Sequence, residues 1–395
     1  MRFVRFGGSG YVTDIFWMEA MRAKRIFVSC FILVIVVVGA YSFSGCTFEK
    51  SGCSGGEHEY GTEYFYDDVS HWSECKKCGS STEKSPHTLD SEKLCEHCRL
   101  SFKPTSGVLY TTSPDGAYAE VIGYIGEDNR VVISDTYENL PVKKIDSGAL
   151  SSQKMTSVVI PESVVEIGNF AFQSCAHLGS IVIPESVVRI GKFAFSSCVN
   201  LERITIPSGV TAIENSAFEW CISLVEITIP NAVVSIGKNA FAWCELLTEI
   251  DVPDNVETIG PYAFYNCTNL IDIKLGKGLE IIDKNAFAGC NSLRMVRLGE
   301  SVSEIGDYAF SGCTNLCEMM LPASLKKIGY IAFYKCKYLE KVYYCGSEAE
   351  WARIAIDKSN SRLTDAERYY YSENMPNSSG KYWHYNSQGN IEIWN

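Results

Sequence analysis

The stretch Ala217-Phe218-Glu219-Trp220-Cys221 carries a motif, Ala-Phe-x-x-Cys, that decides the fold of this 395-residue chain. The motif occurs eight times at an unbroken 23-residue interval. Its phenylalanines are Phe172, Phe195, Phe218, Phe241, Phe264, Phe287, Phe310 and Phe333. Its cysteines are Cys175, Cys198, Cys221, Cys244, Cys267, Cys290, Cys313 and Cys336. A fixed period of about 20–29 residues is typical of a solenoid, in which each repeat forms one coil.

Residues 201–221 show what one coil contains. Residues 203–206 alternate polar and apolar side chains, which predicts a short strand with one buried face. Pro207 ends the strand because proline has no backbone donor. Ile213 then brings the chain back across the core, and residues 218–221 predict a tight turn, helical or 3₁₀. One coil cannot bury its own apolar side chains, so stability comes from stacking on its neighbours.

The sequence therefore predicts a β-rich repeat solenoid with a short strand and a turn in each coil. Nine coils, counting an irregular first one at residues 145–160, would extend over roughly 40 Å at a strand spacing of about 4.8 Å. We expect the eight repeat cysteines to be small buried apolar side chains. The alternatives are a metal ladder or a disulfide ladder. A disulfide needs converging Cβ vectors, whereas stacked equivalents point in parallel.

The repeat unit I-P-x-S-V-x-x-I-G-x-x-A-F-x-x-C resembles the BspA-like leucine-rich repeats of bacterial surface proteins. The resemblance covers about residues 109–395. It implies a curved extracellular solenoid that binds other molecules, often in adhesins. The chain departs from the pattern at Gly276 and Gly299, which replace the usual proline, and at Cys317, which is an extra thiol.

The first 45 residues are predicted to be an export signal or membrane segment. A basic region containing Arg22, Lys24 and Arg25 precedes an uncharged stretch at residues 26–43, and Phe43-Ser44-Gly45-Cys46 follows. A basic region, an apolar run and a small-residue site are typical of secretion. The last four residues look like a bacterial lipobox, with Cys46 as the lipidated residue. The alternative is an uncleaved anchor of nearly spanning length. Translation would start at Met1, Met18 or Met21.

Two segments precede the repeats. Residues 46–61 are rich in glycine and serine, which predicts a flexible tether. Residues 62–102 form a Cys/His-rich module with the pairs Cys75/Cys78 and Cys95/Cys98. This spacing predicts a zinc ribbon, in which four thiolates hold one structural zinc ion. The alternative is a pair of disulfides, because an exported protein meets oxidising conditions. The module also looks like short Cys/His modules of Gram-positive surface proteins.

The solenoid is predicted at residues 145–346, and the segments before and after it are predicted to cap its two ends. Three β-prone runs at 108–111, 119–122 and 130–133 form the N-terminal cap, residues 103–144. Ser347 and Glu350 match a helix capping box at the start of the C-terminal cap, residues 347–395. The following helix takes its apolar face from Trp351, Ile354 and Ala355. Later strands are expected at 368–373, 381–385 and 391–394.

The function is predicted to be non-catalytic binding at the cell surface. The formal net charge of −12 argues against a nucleic-acid partner, which needs a basic surface. No nucleophile, phosphate-binding or acid–base motif is evident, so an enzyme is not expected. Alternation along each strand sends two side chains per coil outward. The candidate ligand-binding residues are Arg203, Glu226, Thr228, Glu249, Asp251, Asp272, Lys274 and Arg297.

The acidic middle of this set favours a basic protein ligand, such as a host or matrix protein. The protein would lie on the outer face of the cell membrane, held by its lipid or anchor. The alternative is an envelope structural or scaffold protein without a dedicated ligand. Trp220 and Trp243 either form a second binding patch or, as we expect, pack against each other on the back of adjacent coils.

Overall fold

The computed structural model describes residues 65–66, 70–72, 85–86, 93–95, 102–376 and 380–394. All of them belong to one compact unit. Residues 145–346 contain no helix and form the predicted stack of 23-residue coils. The predicted fold class is therefore confirmed. Within each coil the turn after the repeat phenylalanine is neither α-helical nor 3₁₀.

One strand of each coil stacks on the next along what we call the front sheet, whose hydrogen-bonded pairing is interrupted between Glu226–Thr228 and Glu249–Asp251. Its side chains alternate, with a buried central residue between two outward residues, as predicted for residues 203–206. Parallel pairing is in register, for example Arg203 opposite Glu226 and Glu249 opposite Asp272. Residues 180–182 join through isolated bridges. The strands are Arg130–Val132, Ser157–Val159, Arg203–Thr205, Glu226–Thr228, Glu249–Asp251, Asp272–Lys274, Met295–Arg297, Glu318–Leu321, Lys341–Tyr344 and Glu367–Tyr371.

A second strand in each coil forms the back sheet, which the sequence pattern does not reveal. These strands are only two residues long in the repeats, and each buries the isoleucine of the Ile-Gly motif or its equivalent. They pair in parallel, as Ser235 does with Thr258. The strands are Leu140–Ile145, Glu166–Ile167, Arg189–Ile190, Ala212–Ile213, Ser235–Ile236, Thr258–Ile259, Ile281–Ile282, Glu304–Ile305, Lys327–Ile328 and Ala355–Ile356.

The core between these sheets is a continuous column of repeat phenylalanines. All eight rings are fully buried. Consecutive rings are nearly parallel, with centroids 5.2 to 5.6 Å apart, for example 5.5 Å between Phe218 and Phe241. Offset stacking at this separation is favourable for aromatic rings. Each phenylalanine therefore contacts both neighbouring coils, which spreads the energy of burial along the array.

A third hydrogen-bonded ladder runs along the turns between the back sheet and the next front strand. In each coil the residue two before the phenylalanine and the residue before the cysteine have positive φ, as at Ser216 (φ 56) and Trp220 (φ 63). This left-handed conformation directs their amides toward the next coil. Ser216 N–H donates to Lys238 O at 2.8 Å, and Trp220 N–H donates to Ala242 O at 2.8 Å. We call this third side of the solenoid the turn edge.

The N-terminal segment continues both sheets. Arg130–Val132 pairs in parallel with Ser157–Val159, and Leu140–Ile145 pairs with Glu166–Ile167. The back sheet is extended further by Ala119–Tyr124 and then by Val108–Thr112. The short strand Thr136–Tyr137 folds back on Leu140–Ile145. The three β-prone runs are thus strands, and two of them seal the end of the core. Three more short strands, Phe65–Tyr66, Ser70–Trp72 and Ser85–Pro86, pair antiparallel with one another.

The C-terminal segment also continues the coils before it leaves them. The predicted capping box at Ser347 is present and begins a helix of one turn, Glu348–Trp351. A second short helix, Ser361–Thr364, follows. The expected longer helix was wrong at Ala355, which is exposed and lies in a back-sheet strand. A helix at that point would break the parallel pairing of residues 355–356 with Lys327–Ile328.

The last strands extend the front sheet. Glu367–Tyr371 pairs with Lys341–Tyr344, and Tyr382–Tyr385 and Ile391–Ile393 follow it. These three strands match the predicted ones to within two residues.

Gly276 marks a place where two coils approach unusually closely. A Cβ at this position would lie 2.2 Å from Pro253 O in the preceding coil. Most coils carry proline here, so the loss of the repeat proline at Gly276 is a local adaptation that the backbone requires.

Candidate functional site

The predicted binding residues form an exposed surface on the front sheet, which we call the front ribbon. Two columns of outward side chains run along it, one residue per coil. The first column is Arg203, Glu226, Glu249, Asp272 and Met295, and the second is Thr205, Thr228, Asp251, Lys274 and Arg297. All of these side chains except half-buried Met295 are exposed. The structure therefore brings together the eight residues that were selected from the sequence.

Part of the ribbon is neutralised by ion pairs between consecutive coils. Lys274 Nζ lies 3.0 Å from Asp251 Oδ1, and Arg203 Nε lies 3.7 Å from Glu226 Oε2. The hydrogen bond to Asp251 raises the pKa of Lys274. Such exposed pairs contribute little stability, about 0–1 kcal/mol each. Glu249 and Asp272 form no salt bridge with any described residue.

Glu249 and Asp272 are also direct partners in the parallel register. Like charges at directly opposite positions destabilise a sheet by a few tenths to about 1 kcal/mol. Glu226 lies in the same column one coil earlier, where Arg203 partly neutralises it. The ribbon thus keeps a repulsive carboxylate pair at its centre.

The ribbon ends where the C-terminal strands cover it. Met320 and Tyr343 hold the outward positions of later strands in the same column as Arg297. They lie on the outward side of the front sheet but are buried there with Tyr369 and Trp383 in a small second core. Trp383 Nε1–H donates to Tyr344 O at 3.0 Å, which fixes the indole over the sheet. His384 stacks on Trp394 with ring centroids 3.8 Å apart.

The repeat cysteines are buried thiols with a shared hydrogen bond. Each Sγ–H in the regular coils donates to the carbonyl of the phenylalanine in the preceding coil, for example Cys244 to Phe218 O at 3.3 Å. The same carbonyl accepts the amide of Cys221 within its own coil. Cysteine therefore fills a tight corner and supplies a weak donor to the next coil. Burial raises the pKa of Cys267 from its ordinary 9.0 to about 12.

Trp220 and Trp243 lie on the turn edge, and their rings stack as expected. The centroids are 4.5 Å apart and the planes are inclined by 7°. Both residues have positive φ, which is uncommon for a bulky side chain. The sequence pattern showed the pair but not the edge to which it belongs, because the left-handed positions are visible only in the backbone.

Several predicted sites fall outside the described residues. Cys46, Cys75, Cys78 and Cys98 are among them, together with the tether and the export segment. Of the four candidate zinc ligands, the structure places only Cys95, which is fully buried. Within the described part of the chain, no cluster of metal-ligating side chains occurs and no helix could span a membrane.

The comparison with sequence families rests on the same repeats. The family described as "BspA type Leucine rich repeat region" matches residues 143–248 and 234–361, which together span more than half of the chain. The chain belongs to this family. BspA-type repeat proteins are typically bacterial cell-surface proteins, and leucine-rich repeat solenoids generally bind proteins and are typically non-catalytic.

Solved structures similar to this BspA-type chain include a leucine-rich repeat protein of T. pallidum, with 29% identity and a TM-score of 0.42 over 54% of this chain and 90% of that one. A leucine-rich cell surface protein of Faecalibacterium prausnitzii shares 25% identity, with a TM-score of 0.30 over 65% and 98% of the two chains. The pneumococcal vaccine antigen PcpA shares 14% identity, with a TM-score of 0.36 over 79% and 94%. No curated protein matches the chain.

Proposed function

We propose that this BspA-type protein is a non-catalytic cell-surface adhesion protein that uses the front ribbon to bind a basic protein ligand. The observation that carries the proposal is the adjacent pair of exposed carboxylates at Glu249 and Asp272, which form no salt bridge with any described residue although Lys274 lies within their electrostatic reach. A basic ligand would relieve their repulsion and gain electrostatic attraction at once, since complementary charge favours association and specificity. A host or matrix protein with a lysine- or arginine-rich surface fits this chemistry. A lipid on Cys46 or an N-terminal anchor would hold the protein on the outer face of the membrane.

Neutralising Glu249 and Asp272 should weaken ligand binding while slightly increasing the stability of the fold. Glu249→Gln combined with Asp272→Asn is expected to raise the melting temperature slightly, because the repulsion is removed. The same change should weaken binding to immobilised basic matrix proteins about tenfold, and the affinity of the unchanged protein should fall as salt is raised. Surface plasmon resonance and calorimetry measure the two effects.

The matched control lies on the other side of the solenoid. Glu257 and Glu280 are exposed and also lie one coil apart, with Glu280 N–H bonded to Glu257 O at 3.1 Å. Changing both to glutamine alters the net charge equally and should leave binding unchanged. Equal loss of affinity in both double variants would show that only overall charge matters, and the ribbon would then have no binding role.

The second candidate is an envelope scaffold with no dedicated ligand. The ion pairs Arg203–Glu226 and Asp251–Lys274 favour it, because they use ribbon charges to join consecutive coils. An absence of saturable binding to every basic protein tested would support this function over adhesion.

We also propose that Cys75, Cys78, Cys95 and Cys98 hold one structural zinc ion. The burial of Cys95 supports the proposal. The neighbouring Lys93 ties this part of the module to the N-terminal coil, since its Nζ lies 3.6 Å from Asp135 Oδ1. A closed set of four thiolates is typical of structural zinc sites.

Metal analysis of the purified protein should give one zinc per chain, released by a chelator. Cys75→Ser combined with Cys78→Ser should abolish zinc binding, because a structural site needs all four ligands. Cys317→Ser, at a half-buried thiol in the repeats, should leave the zinc content at one. Two disulfides within residues 75–98 and no metal would contradict the zinc site.

A further inference from the structure

The turn edge carries aromatic side chains in seven of the eight regular coils. They lie within three residues before or five after the repeat phenylalanine, on the outside of the ladder formed by the left-handed residues. The set is Phe170, Phe193, Trp220, Trp243, Tyr262, Tyr265, Tyr308, Tyr330, Tyr334 and Tyr338. None belongs to the buried core, and Phe170, Tyr330, Tyr334 and Tyr338 are 40 to 50% exposed.

These rings contact one another from coil to coil. Phe170 and Phe193 stack with centroids 4.9 Å apart. Trp243 stacks on Trp220 and meets Tyr265 edge to face at 5.7 Å. Further along, Tyr308 and Tyr330 are 5.6 Å apart. The result is a row of aromatic clusters along the solenoid axis, which we call the aromatic strip. It is interrupted between Phe193 and Trp220 and at the coil of Phe287, and the rings of Trp220 and Trp243 are half-buried.

Six of these aromatic residues have positive φ, a conformation that suits other residue types better. Trp220 and Trp243 have φ values of 63° and 64°. The equivalent positions two and three coils beyond Trp243 are Gly289 and Gly312, for which positive φ carries no penalty. A left-handed conformation is unfavourable for a residue with a Cβ, because the Cβ comes too close to the backbone carbonyl oxygen. Since the tryptophans do not enter the core, their presence at strained surface positions indicates a function at the surface.

Three exposed lysines lie along the turn edge, one on every second coil. Lys192, Lys238 and Lys284 each lie three residues before a repeat phenylalanine and are exposed. They occur on every second coil, about 9–10 Å apart at the usual strand spacing. None of the three forms a salt bridge among the described residues. At the C-terminal end, Lys335 and Lys337 lie over the rings of Tyr334 and Tyr338.

Three carboxylates on this edge accept hydrogen bonds from neighbouring residues. Asp307 Oδ1 accepts Tyr330 N–H at 2.7 Å, and Asp283 Oδ1 accepts Lys284 N–H at 2.6 Å. Glu219 is half-buried, and its Oε1 accepts Asn239 Nδ2–H at 3.2 Å. Burial raises the pKa of Glu219, since desolvation disfavours its charged form. Asp307 is exposed in the same column as the lysines, one coil beyond Lys284, so the positive side chains of this column are confined to the coils from Lys192 to Lys284.

We propose that the turn edge binds a linear anionic glycan that extends along the solenoid axis. The apolar faces of its sugar rings pack on the aromatic strip, as apolar surfaces do on large flat side chains. One sugar ring spans about one coil, so a disaccharide repeat with a single carboxylate places its charges two coils apart, opposite Lys192, Lys238 and Lys284. Ammonium–carboxylate hydrogen bonds then fix the register. This site is distinct from the front ribbon and takes a different class of ligand.

Hyaluronan oligosaccharides, with one carboxylate per disaccharide, are the probe. Binding to the purified full chain is expected to shift tryptophan fluorescence and to tighten with oligosaccharide length. Lys192→Gln, Lys238→Gln and Lys284→Gln together should weaken binding at least tenfold. Trp243→Ala should do the same, with circular dichroism confirming that it folds. Lys277→Gln, Lys326→Gln and Lys358→Gln together remove the same charge from other surfaces and should leave the affinity unchanged.

Two comparison ligands show whether binding depends on the sugar rings, on the carboxylates or on both. Neutral chitin oligosaccharides share the ring shape but lack the acid, and poly-glutamate has the charge but lacks the rings. Both should bind at least tenfold more weakly than hyaluronan. Equal binding of poly-glutamate, equal binding of the neutral glycan, or equal effects of the two lysine triples would overturn the proposal. Neutral substitutions at Glu249 and Asp272 should not affect glycan binding. The proposal for the front ribbon and the proposal for the turn edge can therefore be contradicted separately.

Discussion

Replacing Phe241 by alanine is expected to lower the free energy of unfolding by about 3–5 kcal/mol, in line with other buried phenylalanines. Its ring is fully buried and stacks on Phe218 at 5.5 Å and on Phe264 at 5.2 Å. The cavity would lie inside a column that has neighbours on both sides, so the surrounding coils can collapse only partly. Urea denaturation of the two proteins, followed by circular dichroism, measures the difference.

Phe170→Ala is the matched control for this change. The Phe170 ring also stacks on an equivalent ring one coil away, Phe193, but it lies on the turn edge and is 40% exposed. Its loss should cost less than half as much. A similar cost at both positions would mean that stacking along the axis, and not burial in the core, holds the coils together.

The protein is expected to lose stability steeply between pH 9 and 12. Burial holds the pKa of all eight repeat thiols above the ordinary 9.0, to about 11 at Cys175 and about 12 at Cys336. Above pH 9 the unfolded chain loses these protons while the folded chain keeps them, so rising pH favours unfolding. Each thiol contributes about 1.4 kcal/mol per pH unit. Together they would exhaust the stability of an ordinary domain, about 5–15 kcal/mol, within one to two units.

Urea denaturation at pH 8 and pH 9.5, in reductant, tests this dependence. Cys244→Ala should lose stability at pH 8 but show a smaller further loss at pH 9.5 than the unchanged protein. Leu247→Ala, at a neighbouring buried side chain without a titratable group, should keep the full pH dependence. The same pH dependence in both variants would show that the thiols are not its cause.

The sequence predicted the repeat, its front strands and its core because these depend on side chains that recur at a fixed period. It missed the back sheet, since two-residue strands such as Ser235–Ile236 are too short for alternation to be visible. It also missed the left-handed residues of the turn edge, because phenylalanine, serine, tryptophan and asparagine all occupy them. Only Gly289 and Gly312 hinted at positive φ there.

The front ribbon was predictable residue by residue, since strand alternation determines which side chains point outward. The point along the solenoid at which the ribbon ends was not predictable. Tyr343 alternates as an outward residue, but the chain returns about 40 positions later and buries it beneath Trp383. Nor could the pattern show that Lys274 neutralises Asp251 and leaves Glu249 and Asp272 as neighbours, because that depends on the register between coils.

The uniform connection between coils means that the length of this protein can change in discrete steps. Each regular coil offers its neighbours a front and a back strand, the same phenylalanine column and the same ladder on the turn edge, so a 23-residue unit that is gained or lost finds the same kinds of contact on both sides. A unit adds about 4.8 Å to each surface. Recombination within such a gene would therefore lengthen or shorten the protein in steps of one coil while its fold is preserved.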